Sequence, residues 1–322
     1  MQEPVNSRLP RLSLGEGGHA VADRPVPLFG VNIDPAAGNL ELARRLARLA
    51  DETGLDFAGV QDHPYLARFL DTWTLLAVLG ATTERVRLLP NVLNLPLRPP
   101  AMLAKAAATL DVISGGRFEL GLGAGANWDG IAAWGGPRRV PGEALAALEE
   151  AMRLVRAIWD APDAPVSFDG QIYQVAGAQA GPAPAHRIGI WLGVAGPRAL
   201  RLTGRLADGW IISSTYVPPE QVPPMQAAID AAARRAGRAP GAIRRAYNLF
   251  GALGDGSGLR ANRPGVLIGP VDWWVEQVAA FYRELRMDTF IFWPLGGEVE
   301  DQARRFAEEV VPAARARVAA GV

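Results

Sequence analysis

Aspartate and histidine stand side by side once in this chain, at Asp62-His63, one residue after the apolar run FAGV and before Pro64. A histidine next to a carboxylate at a strand end can give or take a proton near neutral pH. The same residues could equally end a strand in a turn, with Asp62 capping nearby N–H groups and Pro64 stopping the run. A second chemical signal is the stretch Arg117–Gly125, RFELGLGAG, where Phe118, Leu120 and Leu122 alternate into Gly121, Gly123 and Gly125. Glycines two apart clear one face of a strand end, leaving backbone against which a large flat group could lie. A similar clearing follows at IGIWLGVAGP, 188–197. There Val194, Ala195 and Gly196 precede Pro197 in a first helical turn, an arrangement that leaves N–H groups free for a phosphate. Arg198 can add charge to the same anion. Each of these also has a plain reading as a tight turn or a helix start.

The elements needed to position these residues alternate along the chain. Strand patterns lie at 28–33, 57–62, 86–91 and 117–123, then at 188–192, 208–213, 245–252 and 289–293. Helical patterns lie at 40–52, 72–83, 100–113 and 142–159, then at 197–206, 219–236, 271–285 and 298–319. Eight β/α repeats predict an α/β fold, a TIM (β/α)8 barrel, with a doubly wound sheet as the competitor. A Pro- and Gly-rich insertion before strand five, about 161–187, holds the hairpin VSFDGQIYQV with a turn at Asp169-Gly170. Chemistry in such a barrel sits at the C-terminal strand ends. Here these carry Asn32, Asp62-His63, Asn91, the Gly123–Asp129 run, 193–196, Ser213, Ser214 and Trp293.

Composition narrows the function classes. Of 322 residues 49% are hydrophobic and 20% charged, and 33 basic residues balance 33 acidic ones, so nothing favours nucleic acid or an anionic membrane surface. Cysteine is absent, which removes disulfides and thiolate chemistry, and three histidines are too few for a convincing histidine metal site. Lys105 is the sole lysine, so anion recognition must fall to arginine or backbone N–H groups. Residues 1–24 read as a flexible extension ahead of one barrel domain, 25–322, and 254–265 as a mobile loop. No apolar run approaches 18 residues, and a cytoplasmic location is expected.

Taken together, DETGLDFAGVQDH (51–63), RVRLLPNV (85–92) and PPAMLAKAAATLDVISGGRFELGLGAG (99–125) resemble the luciferase-like monooxygenase superfamily of flavin- and deazaflavin-dependent oxidoreductases. So do IGIWLGVAGPRALRLTGRLADGW (188–210) and VLIGPVDWW (266–274). The resemblance implies an enzyme, often a homodimer, that binds a reduced flavin-type cofactor at the C-terminal face of the barrel. It implies a non-proline cis peptide at Asn91–Val92 behind the ring, and cofactor contacts from Asp62, Asn94, Gly123, Gly125 and Asp129. The phosphate would rest on the N–H groups of Val194, Ala195 and Gly196, with Pro197 and Arg198 also at the cofactor. The Asp62-His63 pair resembles the deazaflavin (F420) branch, with His63 handling the proton and Asp62 orienting it during hydride transfer. The alternatives are an FMN-dependent monooxygenase served by a separate reductase, and a non-catalytic flavin-binding barrel. The sugar-phosphate dehydrogenases of the F420 branch carry a glutamate where Ala126 stands, and lysines that are missing here. An apolar or aromatic substrate is therefore expected, walled by Trp73, Trp128, Trp134 and Trp293.

Overall fold

The computed structural model describes residues 24–255 and 264–321. Eight parallel strands form its barrel. They are β1 (Leu28–Ile33), β2 (Phe57–Val60), β3 (Arg87–Pro90) with its continuation β4 (Leu93–Asn94), and β5 (Leu120–Gly123). The second half comprises β8 (Ile190–Gly193), β9 (Gly209–Ser213), β10 (Arg244–Leu253) and β12 (Thr289–Pro294). Pairing runs β3-β2-β1-β12-β10-β9-β8-β5-β4, and a parallel bridge from Leu88 to Phe118 closes the ring. Closure excludes the doubly wound alternative. A hairpin, β6 (Pro165–Asp169) with β7 (Gln174–Gln179), forms a separate two-stranded sheet, and a short β11 (Leu267–Gly269) lies beside β10.

Outside the barrel lie α1 (Leu40–Glu52), α2 (Thr72–Ala81), α3 (Pro100–Ile113), α4 (Trp128–Ala133), α5 (Pro141–Trp159) and α6 (Pro197–Leu206). They are followed by α7 (Val222–Arg235), α8 (Val271–Arg283), α9 (Val299–Arg305) and α10 (Val311–Ala319). Proline in the first turn fixes the starts of α3 and α6, as their sequences predict, and also that of α5, which begins at Pro141 rather than at the expected 142. No helix among the described residues is long and apolar enough to cross a membrane.

Strand alternation sorts the side chains into two cores. Phe29, Val31, Leu88, Leu120, Leu122, Leu192, Tyr247 and Phe290 belong to the cluster packed with the helices. The barrel interior is filled by Phe57, Leu89, Trp191, Ile211, Ala246 and Ile291, one from each of six strands. Trp191 meets Phe57 edge-on across it, at 5.5 Å. One layer nearer the mouth, seven of the eight inward positions turn polar or small, Asn32, Gly59, Asn91, Gly123, Gly193, Ser213 and Asn248, and the eighth is Trp293. That change of chemistry marks where packing gives way to the site.

Several local expectations are corrected. The hairpin does not turn at Asp169-Gly170. Asp169 pairs with Gln174, so the loop is 170–173, and the Glu150 carboxylate accepts the N–H groups of Gln171, Ile172 and Tyr173 at 2.9–3.0 Å. Neither β11 nor α4 has a sequence pattern long enough to betray it. The last helix is interrupted by a π turn at Phe306–Val310, just before Pro312, which has no N–H to continue the ladder. The mobile-loop reading of 254–265 falls mainly on 256–263, outside the described residues, as does the N-terminal extension through 23. Arg24, assigned to that extension, is anchored: it donates to the carbonyls of Tyr282 (2.9 Å) and Arg283 (2.8 Å).

The insertion returns to the barrel through His186, whose Nδ1 lies 2.7 Å from buried Asp111. Glu119 on one side and Asp111 on the other raise its pKa, against partial burial. The folded protein thus holds this proton more tightly than the unfolded chain does. The resulting stability is full below about pH 6.5, the unfolded value, and is lost as pH rises through the higher folded value. The thermal midpoint should therefore fall more steeply above about pH 6.5 in the wild type than in His186→Gln, measured by circular dichroism across neutral pH. Parallel curves would remove this residue from the pH response.

Candidate active site at the barrel mouth

The end of β2 delivers Asp62 and His63 to the mouth, but to different partners. Asp62 is buried, and Arg98 from the segment before α3 grips it in a two-pronged contact, Nε to Oδ2 at 3.0 Å and Nη2 to Oδ1 at 2.9 Å. The Asn94 N–H also donates to Oδ2, at 2.9 Å. Arg98 reaches on to Asp71, the residue that caps α2. Burial opposes the charge on Arg98, yet the bonds from Asp62, followed by those from Asp71, raise its pKa above the ordinary value. Both oxygens of Asp62 are occupied, so it does not orient the His63 ring as expected. It fixes the loop that follows β4.

His63 pairs instead with Tyr65, with Nδ1 2.8 Å from the phenol oxygen. Burial lowers the His63 pKa and outweighs the pull of the Asp62 charge. Burial first, and the nearby Asp62 charge second, raise that of Tyr65. At neutral pH both groups are uncharged and joined by one hydrogen bond.

The Asn91–Val92 peptide is cis, as the resemblance implies. The structure corrects the reading of the glycines. A Cβ on Gly123 or Gly193 would come within 2.9 Å or 2.7 Å of Val92 Cγ2, and one on Gly121 would collide with the Pro90 carbonyl oxygen at 1.9 Å and come within 3.2 Å of Val92 Cγ1. These glycines accommodate the bulge rather than lying bare beneath a ligand, and Val92 forms the floor above them. Gly125 is different again. Its φ is +97°, and a Cβ there would meet Pro96, Trp128 and Ile131 at 2.8–3.2 Å. Gly125→Val should therefore disturb the fold before it bears on any ligand, costing about 2–5 kcal/mol from backbone strain and overpacking. Urea melts of this variant provide the measurement, and wild-type stability would contradict the geometry.

Both cleared strand ends border one cavity of about 690 Å³. Its lining includes Asp62, His63, Tyr65, Val92, Asn94, Gly123, Gly125, Ala126, Trp128, Leu145 and the run from Gly193 through Arg198. The N–H groups of Val194, Ala195 and Gly196 donate to no acceptor among the described residues, and the space around Gly196 is open. Asn94 Oδ1 is buried without a partner.

Other sequence-selected residues lie elsewhere. Asn91 sits deeper, in a buried amide pair with Asn248 (2.8 and 3.2 Å), which also donates to Ser213 at 3.0 Å. Asp129 is exposed and paired with Arg138. Of the four tryptophans only Trp128 borders the cavity. Trp73 packs edge-on against Phe118 behind the strands, and Trp134 is 62% exposed. Trp293 stacks on Phe250 at 4.3 Å on the opposite side of the mouth. Tyr65, Arg98 and Asn248 join the site without standing out in the sequence as candidates. Asn248 alone carried a signal, a polar residue inside the apolar run AYNLFGAL.

A barrel with this mouth defines a class, and comparison with known proteins identifies it. The luciferase-like monooxygenase family model matches residues 27–260, and the chain belongs to that family. Among curated relatives, an F420-dependent glucose-6-phosphate dehydrogenase of Nocardia farcinica is 35% identical over 63% of this chain and 62% of its own length. A 5,10-methylenetetrahydromethanopterin reductase of Archaeoglobus fulgidus is 32% identical over 65% and 59%. The chain thus spans about three fifths of the length of these relatives. The solved structure of an F420-dependent secondary alcohol dehydrogenase with an F420–acetone adduct superposes with a TM-score of 0.80 at 18% identity, over 90% of this chain and 99% of that one. A monooxygenase from Streptomyces bottropensis gives 0.75 at 26% identity, over 88% and 99%.

Proposed function

We propose that this protein is an oxidoreductase that moves hydride between the deazaflavin F420 and an apolar or aromatic small molecule. The observation that carries the reading is the hydrogen-bonded His63–Tyr65 pair on the same cavity as the free N–H row at 194–196. A deazaflavin supplies or accepts hydride at its ring carbon when bound. The residues present suit such a group: an N–H row with Arg198 for a phosphate, the Val92 floor for a flat ring, and the unpaired Asn94 Oδ1 for a ring N–H. His63 would hold or move the proton that accompanies hydride, with Tyr65 supporting the ring. Asp62 acts at one remove, through Arg98 and the Asn94 backbone.

The relatives named above support the cofactor but not their own substrates. Ala126 borders the cavity where the resemblance expects a glutamate, and the Lys105 ammonium donates to the Gly181 carbonyl away from the mouth. A sugar phosphate has no cationic holder of that kind here. Away from the arginines the cavity offers Trp128 and Ala144, which suits an uncharged ligand. A homodimer in the cytoplasm belongs to the same reading and rests on family kinship.

The similarity to the Streptomyces monooxygenase favours a second reading, FMN-dependent oxygen activation with reductant from a partner reductase. Fluorescence quenching with oxidised FMN and with F420, followed by anaerobic reduction and admission of oxygen, separates the two. Tight F420 binding without oxygen consumption is expected. Substrate-dependent oxygen uptake with reduced FMN, above the rate without protein, would overturn the F420 assignment.

A further inference from the structure

A second cavity, of about 400 Å³, adjoins the phosphate seat, and Leu145 and Arg198 line both. Its other walls are Arg201 and Arg205 of α6 and Ala232, Arg235 and Ala236 of α7. The spacing 198, 201, 205 puts three guanidiniums on one face of α6, over about 10 Å at 1.5 Å per residue. Gly204 lets α7 close in, since a Cβ there would meet the Ile229 carbonyl at 2.3 Å. Arg205 shares Glu149 with Arg153. Arg198, Arg201 and Arg235 are all exposed, and none has a carboxylate within 4.0 Å among the described residues. In a chain whose charges otherwise balance, this is a local excess of positive charge that repels itself.

We infer that this trough holds a run of carboxylates continuing outward from the cofactor's phosphate, so that Arg201 and Arg235 select a cofactor with an anionic tail. The inference rests on the F420 reading and deepens it. FMN ends at its phosphate monoester and would fill the seat without entering the trough. F420 continues through a phosphodiester into carboxylates, which the planar guanidinium fork matches in charge and shape. Small side chains at Ala232 and Ala236 leave room for such a tail, and an apolar ligand would gain nothing from three unpaired arginines.

The test is equilibrium binding by fluorescence to the wild type and to the double variant Arg201→Ala/Arg235→Ala. The probes are F420 with its glutamyl tail, the phosphate-free deazaflavin chromophore, and FMN. Both side chains are exposed and unpaired, and an unchanged thermal midpoint documents folding. The variant is expected to lose about tenfold in affinity for tailed F420 at low salt, with a shallower salt dependence. Its affinity for the chromophore and for FMN should not change. Undiminished F420 affinity, or an equal loss for all three probes, overturns the trough while leaving the F420 reading in place. Wild-type protein that binds FMN and ignores F420 overturns both.

Discussion

His63→Ala is expected to fold normally and to lower kcat by about 100-fold, the usual size of lost acid–base assistance. The residue is half-buried at the cavity rim, and its one side-chain hydrogen bond is to Tyr65, which borders the cavity too. No structural network hangs on it. Burial lowers the His63 pKa, so the neutral imidazole persists below about pH 6.5, the unfolded value, and the acid limb of the rate profile should lie beneath that point. The sign for stability is opposite to that at His186. The unfolded chain binds the His63 proton more tightly, so this group costs stability as pH falls through the unfolded value. Removing the imidazole should therefore remove both the acid limb and part of the acid sensitivity of folding. Steady-state rates from pH 5 to 8 on wild type and variant decide the matter, and equal turnover would reduce His63 to a packing residue.

Arg98→Met should produce the largest loss of stability. It removes three charge-assisted bonds at once, two to Asp62 and one to Asp71. Asp62 is then left 2% exposed with only the Asn94 N–H, and an uncompensated buried charge costs about 3–5 kcal/mol. The double variant Arg98→Met/Asp62→Leu should recover much of that loss, because a buried ion pair replaced as a unit by apolar groups is often close to neutral. Chemical denaturation of the two single variants and the double one gives the coupling directly. If Arg98→Met alone costs under about 1 kcal/mol, the clamp is a surface contact in effect.

The barrel was legible because its signals are local. Proline at 100 and 197 announces helix starts, and β-rich runs recur at intervals that admit few topologies. The neighbours Asp62 and His63 were visible for the same reason, but their partners were not. Arg98 lies 36 residues from Asp62, and Asn248 lies 157 from Asn91; no spacing rule connects such pairs before the strands are in place. The tryptophans failed for a related reason. Trp73, Trp128, Trp134 and Trp293 are chemically alike, and only the direction each element gives its side chain puts one of them on the cavity and sends the others behind, outward or across. The glycine clearings were read correctly as missing side chains and wrongly as empty space, since the occupant arrives from another strand.

That occupant makes the mouth a matched set rather than a collection of separate positions. Val92 inserts its two methyl groups between the ends of β5 and β8, so the depth of the bed is set by one side chain fitted against glycines on two different strands. A bulkier residue at Gly123 or Gly193 has nowhere to go unless Val92 shrinks with it, and one at Gly121 meets the Pro90 backbone carbonyl, which cannot shrink. Trimming Val92 to alanine would instead sink the bed without touching the walls, which makes it the natural first change for reshaping this protein around a thicker or substituted ring.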